Sequence, residues 1–228
     1  MKKELENWLA GLADPMHPDE FEAKQLVRLY GVRVPEGRLI RPEDPVDASG
    51  IEPPYAVKVC SPRLFHKTDV EGVRLNVEED GLERCIRDFR DRFPGTSILV
   101  EHQTGFEMPE FITGVLRDAT FGPAVMIGAG GVFTELYRDT AFRLAPFAAD
   151  TALEMLDELS ISPVFHGFRG GKLNADRFAD LVSSISTLAD DMKESLDQLD
   201  INPVVFSGGE WIALDVKAVL DPNAPGGA

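Results

Sequence analysis

The segment LDINPVVFSGGEWIALDVKAV, residues 199–219, brings oxygen ligands together through the geometry of a turn. Gly208-Gly209 between two apolar runs predicts a two-residue β-hairpin. That turn sets Asn202 opposite Asp215 and Asp200 opposite Lys217. Strand side chains alternate with period two, so all four should share one face. The other face then takes Ile201 opposite Val216, Pro203 opposite Leu214 and Val205 opposite Ile212. Facing Cβ atoms stand about 4.5–5.5 Å apart, close enough for an Asn oxygen and an Asp carboxylate to meet at one ion. Magnesium takes a few protein oxygens and fills its shell with phosphate oxygens and water, so Asn202 and Asp215 form a plausible half-site for Mg-ATP. The competing interpretation is a solvated polar face with an Asp200–Lys217 surface pair. Pro203 also argues against a regular central strand, since proline suits an edge or a bulge.

Two other places carry reactive side chains. Lys58 lies inside the apolar strand YAVKVC, 55–60. It could snorkel to the sheet edge, or it could present its ammonium to a phosphate. In the loop SPRLFHKTD, 61–69, His66 stands beside Lys67. Imidazole is a nucleophile at neutral pH and the neighbouring cation would stabilise phosphoryl oxygens, although a polar surface loop also carries such residues for solubility alone. GAGG at 128–131 could offer main-chain N–H groups to an anion or be a plain turn. It is neither a Walker motif nor a dinucleotide fingerprint.

These residues need elements to hold them. The chain has 228 residues, 43% of them hydrophobic, which suits one large domain or two small lobes. Periodicity predicts helices at 18–30, 79–93, 148–160 and 174–194. It predicts strands at 55–60, 70–77, 97–102, 111–116 and 123–127, ahead of the hairpin at 196–219. Helix and strand signals alternate along the chain, which points to a mixed α and β fold. The proline-rich stretch 41–54 reads as a loop. A net charge of −16 argues against a nucleic-acid or membrane-surface binder, both of which call for a basic face. No apolar run approaches the roughly 20 residues of a membrane span. The N-terminus lacks the apolar stretch of a signal peptide. Cys60 and Cys85 fit neither a zinc site nor a disulfide framework, and a reducing cytoplasm is the natural setting.

Several segments in order carry a wider likeness. AVKVCSPRLFHKTDVEGVRLNV, LVEHQ, EFITGVLRDATFGPAVMIGAGGVFTELYRDTAFRLAP, GFRGG, and LDINPVV with ALDVKAVL together resemble the β subunit of ADP-forming acetyl-CoA synthetase. They are more distantly similar to the β subunit of succinyl-CoA synthetase. The resemblance runs from about residue 18 to 221. It implies an α+β ATP-grasp fold in which two lobes clamp Mg-ATP. The lobes would span 18–100 and 101–221, with an N-terminal extension over 1–17 and a tail over 222–228. It implies that Lys58 contacts nucleotide phosphates, that Val100 and Glu101 lie on the adenine-gripping strand, and that Glu110 is an acidic residue of the nucleotide site. It gives Asn202 and Asp215 the role of magnesium ligands, which decides between the two interpretations of the hairpin. It makes His66 a relay for a phosphoryl group. Where the family loop reads DVGGV, this chain has DVEGV, with Glu71 for the first glycine.

The implied activity is that of an acid–CoA ligase (ADP-forming): acyl-CoA + phosphate + ADP ⇌ acid + CoA + ATP. ATP or ADP is a substrate and Mg²⁺ the cofactor. The CoA-binding domain, the acyl site and a second phosphohistidine would come from an α subunit, in an α2β2 enzyme or as part of one fused chain. Rival expectations are a stand-alone ATP-grasp carboxylate–amine ligase and a nucleotide-sensing subunit without turnover.

Overall fold

YAVKVC is apolar but for Lys58 and SILVEH is built round an Ile-Leu-Val run, and both form strands of a small antiparallel sheet. A computed structural model describes residues 2–62, 70–131, 139–168 and 173–221. The chain divides into two compact units. The smaller holds Asp19–Phe21 and Pro35–Gly105, and the larger holds the N-terminal stretch to Pro18, Glu22–Val34 and Phe106 onward. The units therefore part at Val34 and Phe106, whereas the sequence suggests a boundary after residue 100. Helix α2 (Glu20–Leu29) explains the first difference, because Ala23, Leu26 and Val27 are buried in the core of the larger unit. Helix α1 (Lys2–Ala10) precedes it, and its Trp8 indole donates to the Glu22 carbonyl at 2.8 Å.

In the smaller unit, β1 (Gly37–Ile40), β2 (Tyr55–Cys60), β3 (Val73–Val77) and β4 (Ser97–His102) run in the order β1-β4-β2-β3. Helix α3 (Glu79–Arg92) packs on this sheet through Leu82, Cys85, Ile86 and Phe89. Its first turn is acidic and its last is basic, as the helix dipole favours. Glu71 keeps a left-handed φ of 52°, the conformation a glycine takes freely, and Arg92 holds its carboxylate at 3.1 Å.

In the larger unit, β5 (Glu107–Asp118), β6 (Gly122–Ala129), β7 (Thr140–Leu144), β8 (Leu196–Ser207), β9 (Glu210–Ala213) and β10 (Val216–Leu220) form one sheet. Its order is β10-β8-β5-β6-β7, with β9 also on β8. Helices α4 (Ala149–Glu158) and α5 (Ala175–Asp191) contribute Met155, Phe178, Val182 and Ile185 to the core against this sheet. Phe111, Phe165, Phe178 and Trp211 stack there at tilted or edge-on angles, the Phe178–Trp211 centroids 4.8 Å apart. The Trp211 indole donates to the Asn174 carbonyl at 2.8 Å, and Asn174 caps α5 by accepting from Arg177 N. These contacts anchor the β8–β9 turn on the helix layer.

The hairpin register follows the turn: Lys217 pairs with Asp200, Val216 with Ile201, and Val204 with Ala213. Both turn glycines have positive φ, 57° and 86°, as a two-residue hairpin turn of this kind requires. The assignment of the core face past Ile201 needs correction. Thr113 pairs with Ile201 while Phe111 pairs with Val204, so β8 carries one extra residue at Asn202-Pro203. The bulge accommodates Pro203 and exchanges the faces. Val204, Phe206, Trp211 and Ala213 enter the core there, in place of the expected Pro203, Leu214, Val205 and Ile212. Val205 is buried as well, apart from that cluster.

Tyr30, just past the end of α2, donates to Asp191 Oδ2 at 3.0 Å. Burial and the adjacent carboxylate raise its phenol above the ordinary value. Above about pH 10 the unfolded chain loses this proton while the folded chain keeps it, so stability falls as pH climbs past that point. Tyr30→Phe should cost about 1 kcal/mol at pH 7 and make the alkaline decline shallower. Urea unfolding at about pH 7 and at about pH 10.5, on either side of the ordinary phenol range, measures both effects. An equally steep decline in the variant would assign it to other groups.

Candidate functional site

Two groups of polar side chains, one in each unit, coincide with the residues singled out in the sequence. In the larger unit the Asn202 amide N donates to the Asp215 carbonyl at 3.1 Å, and Leu214 N to the Pro203 carbonyl at 2.9 Å. The two strands therefore stay paired across the bulge, with Asn202 and Asp215 directly opposite. Asn202 is exposed, and Asp200, Asp215 and Lys217 are half-buried. Burial pushes the Asp200 carboxyl up, Lys217 pulls it down, and Asp215 pushes it up again. Asp200 thus senses both Lys217 and Asp215, as expected for three charges on one face. Carboxylates outnumber ammonium groups there, which favours a cation.

Among the described residues no cluster of three or more His, Cys, Asp or Glu side chains gathers to cage an ion. Asn202 and Asp215 thus set an amide oxygen and a carboxylate on facing positions of a bulged strand pair. That chemistry fits magnesium, which binds through few protein oxygens and shares its shell with phosphates.

Glu110 lies on β5 in the same unit, half-buried. The GAGG turn closes over it: Gly130 N donates to the Glu110 carbonyl at 2.7 Å. A Cβ on Gly130 would come within 2.9 Å of the Glu110 main chain. A Cβ on Gly131, where φ is +69°, would stand 3.3 Å from Glu110 Oε2. Glycine at both positions is required by this close approach and by the backbone angle. The turn and Glu110 are one structural piece, a link that their separation in sequence hides.

In the smaller unit Lys58 is buried, at 8% exposure, rather than snorkelling to the edge. Its Nζ meets Glu20 Oε1 at 2.7 Å and Glu101 Oε2 at 2.9 Å. Lys58 and Glu101 come together because β2 pairs antiparallel with β4, Ala56 facing Glu101 and Lys58 facing Leu99. Val100 is wholly buried in the core of this unit, so any contact it makes with a ligand runs through its main chain. Beside the end of β4, Glu36, Gly50, Glu52 and His102 line a cavity of about 200 Å³. A larger cavity of about 360 Å³, between Tyr30, Arg33, Arg177, Glu210 and Trp211, includes none of the expected site residues.

His66 lies outside the described residues. Two residues near the chemistry escape sequence reasoning. Asp200 reads in the sequence as half of a surface pair with Lys217, and only its burial near Asp215 changes that. Glu20 reads as an acid at a helix N-terminus, placed there for the helix dipole. Its 4% exposure and its contact with Lys58 require the folded chain.

The model of the ATP-grasp domain matches residues 14–220. The chain is 36% identical over 211 residues to the β subunit of an acetate–CoA ligase (ADP-forming) of Pyrococcus furiosus, covering 88% of this chain and 90% of that one. It is 35% identical to an acetate–CoA ligase (ADP-forming) of Archaeoglobus fulgidus, covering 87% of this chain and 30% of that longer one. A solved structure of a dinucleotide-forming acetyl-coenzyme A synthetase from Candidatus Korarchaeum cryptofilum superposes with a TM-score of 0.78 at 31% identity, over 90% of this chain and 93% of that one. That protein is in complex with coenzyme A and Mg-AMPPCP, its phosphohistidine segment pointing towards the nucleotide-binding site.

Proposed function

The chain belongs to the ATP-grasp family, among the β subunits of ADP-forming acetate–CoA ligases, and on that premise we propose that it performs the nucleotide half of acyl-CoA cleavage. Phosphate passes between a phosphohistidine and ADP, and the complete reaction is acyl-CoA + phosphate + ADP ⇌ acid + CoA + ATP. The observation that carries this proposal is that Asn202 and Asp215 stand opposite each other on paired strands, where an amide oxygen and a carboxylate could serve together as magnesium ligands.

Each residue has a role on this account. Asn202 and Asp215 hold Mg²⁺, which supplies neutralisation of phosphate charge when bound. Lys58 offers its ammonium to the nucleotide phosphates, and Glu101 fixes that ammonium from the neighbouring strand. Val100 lines the base through its main chain. Glu110, braced by the GAGG turn, takes a polar group of the nucleotide. His66 accepts and returns the phosphoryl group. Phosphoryl transfer calls for little covalent chemistry from a protein, so positioning and charge stabilisation account for most of the rate.

CoA and the acyl group are handled by an α subunit bearing its own phosphohistidine, in an α2β2 assembly or a fused chain. The P. furiosus relative is named a β subunit, and the A. fulgidus relative is a single longer chain, which supports a further part of the enzyme, separate or fused. The setting is the cytoplasm, in keeping with two buried free cysteines. No helix among the described residues is long and apolar enough to cross a membrane.

The test is calorimetric and enzymatic together. The purified chain should bind Mg-ADP yet form no acyl-CoA from acid, CoA and ATP until the α subunit is added. Acyl-CoA synthesis by the chain alone would overturn the division of labour, and failure to bind Mg-ADP would overturn the nucleotide role.

A further inference from the structure

Glu20 reaches Lys58 from 38 residues away in the chain, and it is almost wholly enclosed. The side chains of Lys58, Glu20 and Glu101 are 10%, 1% and 2% exposed. Taking an ion out of water is costly, and mutual attraction offsets this only with short, well-directed contacts. Apolar residues of similar volume usually serve stability as well or better, so stability alone is a poor reason for such a triad. Nor does the helix dipole explain Glu20, because that effect needs only an exposed acid in the first turn.

What the triad does provide is a fixed ammonium. A lysine side chain has a flexible four-carbon stem and, unrestrained, samples many rotamers. Nζ donates a hydrogen bond to Glu20 Oε1 at 2.7 Å and forms an ion pair with Glu101 Oε2 at 2.9 Å, so carboxylates on two separate elements confine it. Glu101 approaches from β4, in the same sheet as Lys58, and Glu20 from the first turn of α2. An ammonium held on two sides is preorganised, so binding an anion pays less to order it.

We propose that Glu20 is a positioning residue for the nucleotide site, holding the Lys58 ammonium where it meets the phosphates. This rests on the assignment of Lys58 to the nucleotide. Glu20 acts on the nucleotide through Lys58.

A double-mutant cycle on Mg-ADP affinity, read by calorimetry on the purified chain, separates the possibilities. Glu20→Ala should weaken binding about tenfold, in line with loss of one hydrogen bond to a charged group. Glu20→Gln keeps the volume and an acceptor oxygen and should fall between Ala and the parent. In a Lys58→Met background, Glu20→Gln should change affinity no further. A merely structural role predicts instead that the two effects add. If Glu20→Ala does not fold, the Gln variant and its cycle still decide. Lys58→Met weakening binding while Glu20→Gln leaves it unchanged would overturn this proposal and keep Lys58 at the nucleotide. Lys58→Met without effect would remove Lys58 from the nucleotide, and the present proposal with it.

Discussion

Alanine at Asp215 should lower turnover of the assembled enzyme by about two orders of magnitude, with the magnesium dependence of nucleotide binding lost in parallel. The size follows from the role proposed for the residue, the carboxylate of a two-oxygen donor set for Mg²⁺. Removing it leaves an amide oxygen, which holds a divalent cation poorly. Asn202→Ala should act in the same direction and less strongly, since a neutral ligand contributes less charge. Folding should survive both changes. The two residues pair through their main chains, which alanine keeps, and neither side chain belongs to the hydrophobic core. Magnesium titrations of ADP binding, with thermal unfolding as a control, measure the effect. Unchanged coupling between Mg²⁺ and ADP in both variants, with normal unfolding, would place the metal elsewhere.

Alanine at His66 should abolish turnover in the complex while sparing Mg-ADP binding by the chain. The residue is proposed as the phosphoryl carrier, and no other group can accept the phosphate at that step if the relay passes through it. Lys67 adjoins it in sequence and would offset part of the charge a phosphohistidine brings. Incubating the chain with the α subunit, acyl-CoA and labelled phosphate should leave acid-labile label on the parent and none on His66→Ala. Normal turnover in the variant would rule out the relay and leave direct transfer from the partner's phosphohistidine to ADP.

Legibility differs from one part of the site to another for identifiable reasons. Gly208-Gly209 sets the hairpin register by local geometry, so the opposition of Asn202 and Asp215 follows from counting residues out from the turn. Strands such as Ser97–His102, with their runs of β-branched and apolar residues, and helix Glu79–Arg92, with its acidic start and basic end, also declare themselves locally. Strand β7 at Thr140–Leu144 does not. It is a short edge strand of a sheet, and its pairing with β6 supplies what its own pattern lacks.

The bulge at Asn202-Pro203 marks the limit of that kind of inference. Proline there hints at an irregularity, but the side exchange that sends Val204 and Phe206 inward depends on how β8 meets β5. By itself, then, the sequence determined the class of fold, most of the element order, the family, and the opposition of Asn202 and Asp215, because each depends on near neighbours or on segments matched in order. Tertiary structure alone decided that Lys58 is buried between Glu20 and Glu101, that Gly130 closes on Glu110, and that Asp200 feels Asp215. Burial and charge proximity arise when strands and helices distant in the chain pack together, and residue types at single positions carry no record of them.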